Sequence, residues 1–296
     1  MTADNVRILR KRERRSVGAA KRAGKVLFYA FLILLAVVFL FPYVFMINRG
    51  LMSNEWILEP KMHYFTDGFH FENYALAFSD GGYGLPLLYS ILVCAITFVS
   101  VPVTSLMAGY AFARLEWIGK KFVFALIMLT ALIPAIVTQV PLFVLYNSLQ
   151  LTNTLLPLFL PSLFFAGAMN VFLTRQFLMS VPKELEESAL LDGAGPLKRC
   201  FAICAPMCKP ILIYLAINTF IATWGDYYTP SIYNTSEDAP FTLAYALYFM
   251  TSRETNSLHP EWIFAAATIM SVVPAVLFGC FQRYLIEGIA TVGIKG

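Results

Sequence analysis

Residues 26–47 read VLFYAFLILLAVVFLFPYVFMI, a run without one charged side chain. A helix rises about 1.5 Å per residue and the hydrocarbon core of a bilayer is about 30 Å thick, so roughly 20 such residues cross it. A transmembrane strand would alternate apolar and polar residues over about ten positions. This run is apolar on every face, so a helix bundle is expected, with the backbone groups of each span satisfied internally. Nine basic residues precede it: Arg7, Arg10, Lys11, Arg12, Arg14, Arg15, Lys21, Arg22 and Lys25. The apolar run is too long for a signal peptide and has no convincing cleavage site after it. It is expected to remain as a first span, with 1–25 as a basic cytoplasmic segment.

Five further runs qualify, at about 86–113, 122–146, 155–178, 205–224 and 262–286. The composition agrees: of 296 residues, 58% are hydrophobic and 14% charged, against about 25% charged in soluble domains. The mean hydropathy is +0.67. The expectation is therefore an all-α integral membrane protein with six transmembrane helices. A shorter apolar patch, Phe241 to Met250, is expected to be an external interfacial or re-entrant helix. With six spans, nineteen of the 22 Lys and Arg residues fall on the side of the termini, leaving Arg49, Lys61 and Arg253 on the other. Both termini are then cytoplasmic. The basic N-terminal segment reads as a topogenic signal that also touches anionic lipid, not as a nucleic-acid arm. Outside, the loop over about 48–85 carries Trp56, Tyr64, Phe69, Phe71 and Tyr74. The loop over about 226–261 carries Asp226, Glu237, Asp238, Glu254 and Glu261. Both are large enough to be a docking surface, and equally to be simple solvated loops.

On the cytoplasmic side, 181–199 reads VPKELEESALLDGAGPLKR. Pro182 suits the first turn of a helix, and Glu184, Glu186 and Glu187 put negative charge at its positive end. Leu185 and Ala189 share one face. Gly193 is placed to end that helix, and Pro196 to open another. A helix, a tight turn and a second helix would project from the membrane. An amphipathic loop lying on headgroups would carry basic residues; this one is mainly acidic, so a groove on a soluble protein is the better partner.

This segment resembles the permease subunits of binding-protein-dependent ABC importers, whose shared loop runs Glu-Ala-Ala, three residues, Gly, nine residues, Ile-x-Leu-Pro. Here it stands as Glu187-Ser188-Ala189, Gly193, then Ile203-Cys204-Ala205-Pro206, with Ser188 and Ala205 as the two departures. Ile133-Pro134, Asn153-Thr154, Arg175-Gln176-Phe177, Trp224 with Asp226, Gln282-Arg283-Tyr284 and Lys295-Gly296 look like the carbohydrate branch, most like the shorter, second permease of its heterodimer. The resemblance implies a type I importer permease fold over 26–296 in the bacterial plasma (inner) membrane, with a coupling loop at about 179–205. It also implies the partners: a second permease, a dimer of cytoplasmic ATP-binding subunits holding ATP and Mg, and an extracytoplasmic solute-binding protein. In that family the loop docks in a cleft of the ATPase. Glu187 would make a charged contact, Ser188 and Ala189 would permit close packing, and Gly193 would supply the turn.

The chain itself has no P-loop, since no Lys is followed by Ser or Thr. It is expected to bind no cofactor and to catalyse no reaction. Gln139, Asn170 and Asn218 are uncharged hydrogen-bonding groups at membrane depth. With Trp224, Tyr227, Tyr228 and Asp226 near the external end of span 5, they are candidates for a sugar pathway, or for hydrogen bonds between helices. A gradient-driven carrier of a small polar solute is the alternative, but its usual intramembrane ionisable group is missing. His63, His70 and His259 show no metal spacing. Cys200 and Cys208 would be about 12 Å apart by helical rise, too far to share a zinc. With Cys94, Cys204 and Cys280 they are expected to be reduced packing residues.

Overall fold

The computed structural model describes residues 3–164, 167–236, 238–252 and 259–293, with side chains outside the description for 3–21, 23, 250–252 and 283–293. The side chains of most of the basic N-terminal segment, of Glu237, Arg253 and Glu254, and of Arg283 and Lys295 therefore lie outside it. Every element among the described residues is helical. A single helix, Ala3–Gly50, runs through the basic segment into span 1. Span 2 is Gly84–Ala113, and span 6 lies in the helix Pro260–Gly293.

Three spans are interrupted. Span 3 consists of Lys120–Thr130 and Ala135–Ser148, bent by 99°. The cause is local: Pro134 has no N–H to donate and disfavours helical backbone at Ile133. The backbone N–H groups of Ala131, Leu132 and Ile133 turn back to Met128, Leu129 and Thr130. Span 4 comprises Leu156–Leu163 and Ala168–Ser180. The run at 205–224, expected as one span, divides at Cys208. Pro196–Met207 meets Lys209–Trp224 at 84°, so Ala205 to Cys208 belong to an elbow below span 5. Pro206 and Pro210 flank the break and withdraw two backbone donors from it.

Span 2 packs against spans 4 and 5. Its contact with span 4 depends on Gly109, where a Cβ would lie 2.8 Å from Thr174 Cγ2 and 3.0 Å from the Arg175 backbone nitrogen. Small residues let membrane helices approach this closely. Hydroxyls add specificity: Ser100 Oγ is 2.7 Å from Ser162 Oγ between spans 2 and 4. Around the first half of span 2, Tyr83, Cys94, Trp224, Leu243, Ala246, Ala265 and Ala266 form one apolar cluster. The short patch is the helix Leu243–Ser252. It is packed into this cluster through buried Leu243, Ala244, Tyr245 and Ala246, and Ser90 Oγ of span 2 accepts the Leu243 N–H at 2.7 Å. It is thus an inner element rather than one resting on the surface. Span 1 is the opposite case. None of its most apolar window is buried inside the chain, and its C-terminal end is held where Gly50 approaches Ala265.

Candidate functional site

The loop between spans 4 and 5 forms a helix, Glu184–Leu191, with three carboxylates in its first turn. It ends in a complete Schellman motif. The Gly193 N–H bonds to Leu190 O at 3.0 Å, the Ala194 N–H bonds to Ala189 O at 2.9 Å, and Gly193 adopts φ 79°. Nothing lies within 4 Å of where a Gly193 Cβ would be. Gly is needed there for backbone conformation and not for space. Pro196 then opens the next turn.

The helix exposes leucines and buries one of its acids. Leu185, Leu190 and Leu191 are exposed, Leu191 by 90%, as is Leu197 beyond the turn, while Glu186 is only 7% exposed. The Glu186 carboxylate is held from three directions. Tyr110 OH at the end of span 2 donates to its Oε1 at 2.5 Å. Arg114 Nε pairs with its Oε2 at 3.2 Å, and Arg199 Nη1 with its Oε1 at 3.4 Å. Arg114 also donates to Leu178 O at 2.9 Å and Val181 O at 2.6 Å, where span 4 ends. Burying a carboxylate is costly unless it is paired and hydrogen-bonded, and Glu186 is both. Spans 2 and 4, the loop helix and the elbow therefore meet on one side chain. Beneath it, Cys200, Cys204 and Cys208 pack with Leu106, Tyr110, Leu178 and Ile211. All three are free, as are buried Cys94 and exposed Cys280.

Glu187 and Ser188 are exposed, and Ser188 Oγ donates to Glu184 O at 2.9 Å. Ala189 and Ile203 are half-buried, and Pro206 is exposed at the elbow. Of the motif residues, Glu187, Ser188, Gly193 and Pro206 are thus exposed. Glu186, Tyr110, Arg114 and Arg199 are the residues sequence reasoning missed. Three acids crowd one helical turn and many basic residues share that end, so the sequence holds no signal for which acid turns inward.

The pathway candidates separate into two groups. Gln139, on the second half of span 3, accepts from Tyr228 OH at 3.0 Å. Asn218 is exposed on span 5. Asn170 lines a cavity of about 380 Å³ beside the breaks in spans 3 and 4, with Thr130, Ile133 and Met169. Trp224 and Asp226, by contrast, make contacts within the chain. Trp224 is 3% exposed, stacks with Phe220 and donates its indole N–H to Met270 O at 2.8 Å. Asp226 accepts the backbone N–H groups of Tyr228 and Thr229 at 3.0 and 2.9 Å, starting the next helix. Among the described residues, no group of three or more His, Cys, Asp or Glu side chains is placed to hold a metal ion.

In the segments that follow span 1 and precede span 6, each histidine contacts a carboxylate: His63 with Glu59, His70 with Glu72, and His259 with Glu261. The hydrogen bond to Glu72 raises the His70 pKa above its ordinary value, and Asp67 adds to the effect. Burial alone would raise the Asp67 carboxyl, but Ser53, donating through its backbone N–H and its hydroxyl, and His70 leave it lowered.

The model for binding-protein-dependent transport system inner membrane components matches residues 100–291 of this chain. The diacetylchitobiose uptake system permease protein of Streptomyces coelicolor is 29% identical over 270 residues, covering 91% of this chain and 88% of its own. The melibiose/raffinose/stachyose import permease protein of Bacillus subtilis is 30% identical, with 84% and 87% covered. The arabinooligosaccharides transport system permease protein of Halalkalibacterium halodurans is 32% identical, with 76% and 79% covered. Among solved structures, a bacterial ABC transporter involved in import of the acidic polysaccharide alginate shares the fold. Its TM-score is 0.72 at 20% identity, over 90% of this chain and 97% of that one.

Proposed function

This chain belongs to the family of binding-protein-dependent transport system inner membrane components, and from that premise we propose that it is the permease subunit of an ATP-driven importer whose cargo is an oligosaccharide. It is a multi-pass inner-membrane protein and a transport subunit. The observation that carries the coupling mechanism is the loop helix, anchored inward by Glu186 and presenting bare leucines outward. Exposed leucines on an acidic helix are suited to a cleft in a soluble partner.

The partner in this reading is a dimer of ATP-binding subunits carrying ATP and Mg. Its closure moves the loop helix, with Glu187 as the charged contact, Ser188 and Ala189 as close-packing positions and Gly193 as the turn. The excess of basic residues on the side of the termini supports a cytoplasmic position for this loop. Because Glu186 joins the loop to Tyr110 and Arg114, displacement of the loop pulls on the end of span 2. A second permease completes the pathway, and an extracytoplasmic binding protein delivers cargo to it. The sugar class follows from the three relatives named for disaccharide or oligosaccharide uptake. Gln139 beside Tyr228, together with Asn170 and Asn218, would supply neutral hydrogen bonds, while Trp224 and Asp226 hold that end of span 5 in shape.

Purification in mild detergent tests the assembly. An ATPase dimer and a second permease should accompany the chain, and recovery as a self-sufficient transporter would defeat the reading. Screening oligosaccharides on the cognate binding protein, with ATP hydrolysis by the reconstituted complex as readout, tests the cargo. Stimulation by a non-carbohydrate solute alone would overturn the sugar assignment.

A further inference from the structure

A cavity of about 690 Å³ opens where span 2 ends, span 3 begins and span 4 ends, at the same end of the bundle as the loop helix. The volume lies within the roughly 300–1,000 Å³ of ordinary ligand pockets. Its wall carries three cations, Lys120, Lys121 and Arg175, against one carboxylate, Glu116. Lys120 is engaged, donating to Leu115 O at 2.7 Å and pairing with Glu116 at 3.1 Å. Arg175 and Lys121 are not neutralised by any carboxylate among the described residues. The Arg175 guanidinium is fixed 4.5 Å from the centroid of the Phe124 ring and donates to Gln176 Oε1 at 3.2 Å. The first turn of Lys120–Thr130 contains no acidic residue. The local charge is therefore net positive, and an anion would relieve it.

The surroundings decide which anion. A soluble one needs a wet, polar mouth. Here Trp117 and Phe122 line the wall, Phe122 and Met179 are exposed apolar side chains at its edge, and Leu126 and Leu129 continue the bare apolar surface along span 3. An aromatic belt beside basic residues is the chemistry of the membrane–water boundary, and basic pockets between membrane helices are suited to lipid headgroups. We propose that this cavity holds the headgroup of an anionic phospholipid, its phosphate between Lys121 and Arg175 and its acyl chains along Phe122, Leu126 and Leu129. The inference rests on these helices lying in a bilayer and is independent of the cargo.

Trp117 makes a direct test possible. It is the tryptophan that lines this cavity, whereas Trp56 and Trp262 sit at the outer end and Trp224 lies in the core. The purified complex is placed in phosphatidylcholine nanodiscs containing increasing fractions of brominated phosphatidylglycerol or brominated phosphatidylcholine. The Trp117 signal is taken as the difference from the Trp117→Phe protein. The expected result is quenching at a several-fold lower fraction of the phosphatidylglycerol. The preference should vanish in Lys121→Gln/Arg175→Gln and persist in Lys183→Gln, an exposed lysine at the same end. Equal quenching by both lipids overturns the proposal, as does a preference that survives the double substitution. Relief of quenching by inorganic phosphate at concentrations that leave bulk lipid charge unscreened assigns the site to soluble phosphate and overturns the lipid reading.

Discussion

Arg114 Nε lies 3.2 Å from Glu186 Oε2, and the two side chains are 4% and 9% exposed. The pair ties the end of span 2 to the loop helix out of reach of water. Removing one partner of such a pair costs about 3–5 kcal/mol, because the other charge is left buried and alone. Glu186→Gln is expected to lower the unfolding temperature of the detergent-solubilised protein by several degrees, read by a thiol-reactive dye as Cys200, Cys204 and Cys208 become exposed. Combining it with Arg114→Met should recover much of the loss. A single substitution as stable as the parent would mean that the pair does not hold the loop.

Glu187, one residue away, is exposed and should behave in the opposite way. Glu187→Gln is expected to change stability by less than about 0.5 kcal/mol while reducing cargo-stimulated ATP hydrolysis by the assembled complex several-fold. Unaltered stimulation would remove Glu187 from the contact with the ATPase.

Gly193 has room for a side chain but not the backbone for one. Gly193→Ala should cost about 1–2 kcal/mol through the left-handed conformation alone. Gly193→Arg should reach the membrane in normal amount and block transport, because its bulk stands on the docking face. Full cargo-stimulated ATPase activity in purified Gly193→Arg complexes would show that the turn is not at the interface.

Gly109 is the reverse case, a position limited by space. Gly109→Leu must push Thr174 and the backbone of span 4 away, so a loss of about 1–3 kcal/mol or more is expected. It should appear as reduced folded protein after detergent extraction. Wild-type yield and thermal stability would show that spans 2 and 4 do not meet as closely as the structure has them.

His70 makes the loop between spans 1 and 2 sensitive to pH. Its folded pKa is raised, chiefly by the Glu72 hydrogen bond. The contribution to stability is then complete below the unfolded value of about 6.5 and is lost as pH rises through the higher folded value. Amide exchange over 51–72 should accelerate across that interval, and Glu72→Gln should move the His70 titration back toward the ordinary value. A His70 titration unmoved by Glu72→Gln would refute the pairing.

Much of this architecture is legible in the residues, for identifiable reasons. Apolar runs long enough to cross a bilayer leave few alternatives, and Gly193 three residues before Pro196 specifies a helix end and a new start. Spans that are apolar all round carry no periodicity, however, so nothing in the sequence indicates which face of Trp224 meets the core or that Leu243 to Ala246 are buried. Pro134 announces a break but not a 99° one. At the site, Glu187 and Gly193 stand out by spacing. Glu186 does not, because its role depends on Tyr110 and Arg114, which reach it only once span 2 is packed.

The bare surface of span 1 has a consequence for how the protein is made. A helix that buries none of its most apolar window against its own chain gains nothing there when the later spans fold. Its insertion has to be favourable by itself, and its uncharged run makes it so. Spans 2, 4 and 5 differ, since hydroxyl pairs such as Ser100 with Ser162 find their partners only after both helices are in place. Biogenesis therefore divides into an early, autonomous step for the first span and a later, mutually dependent one for the inner helices.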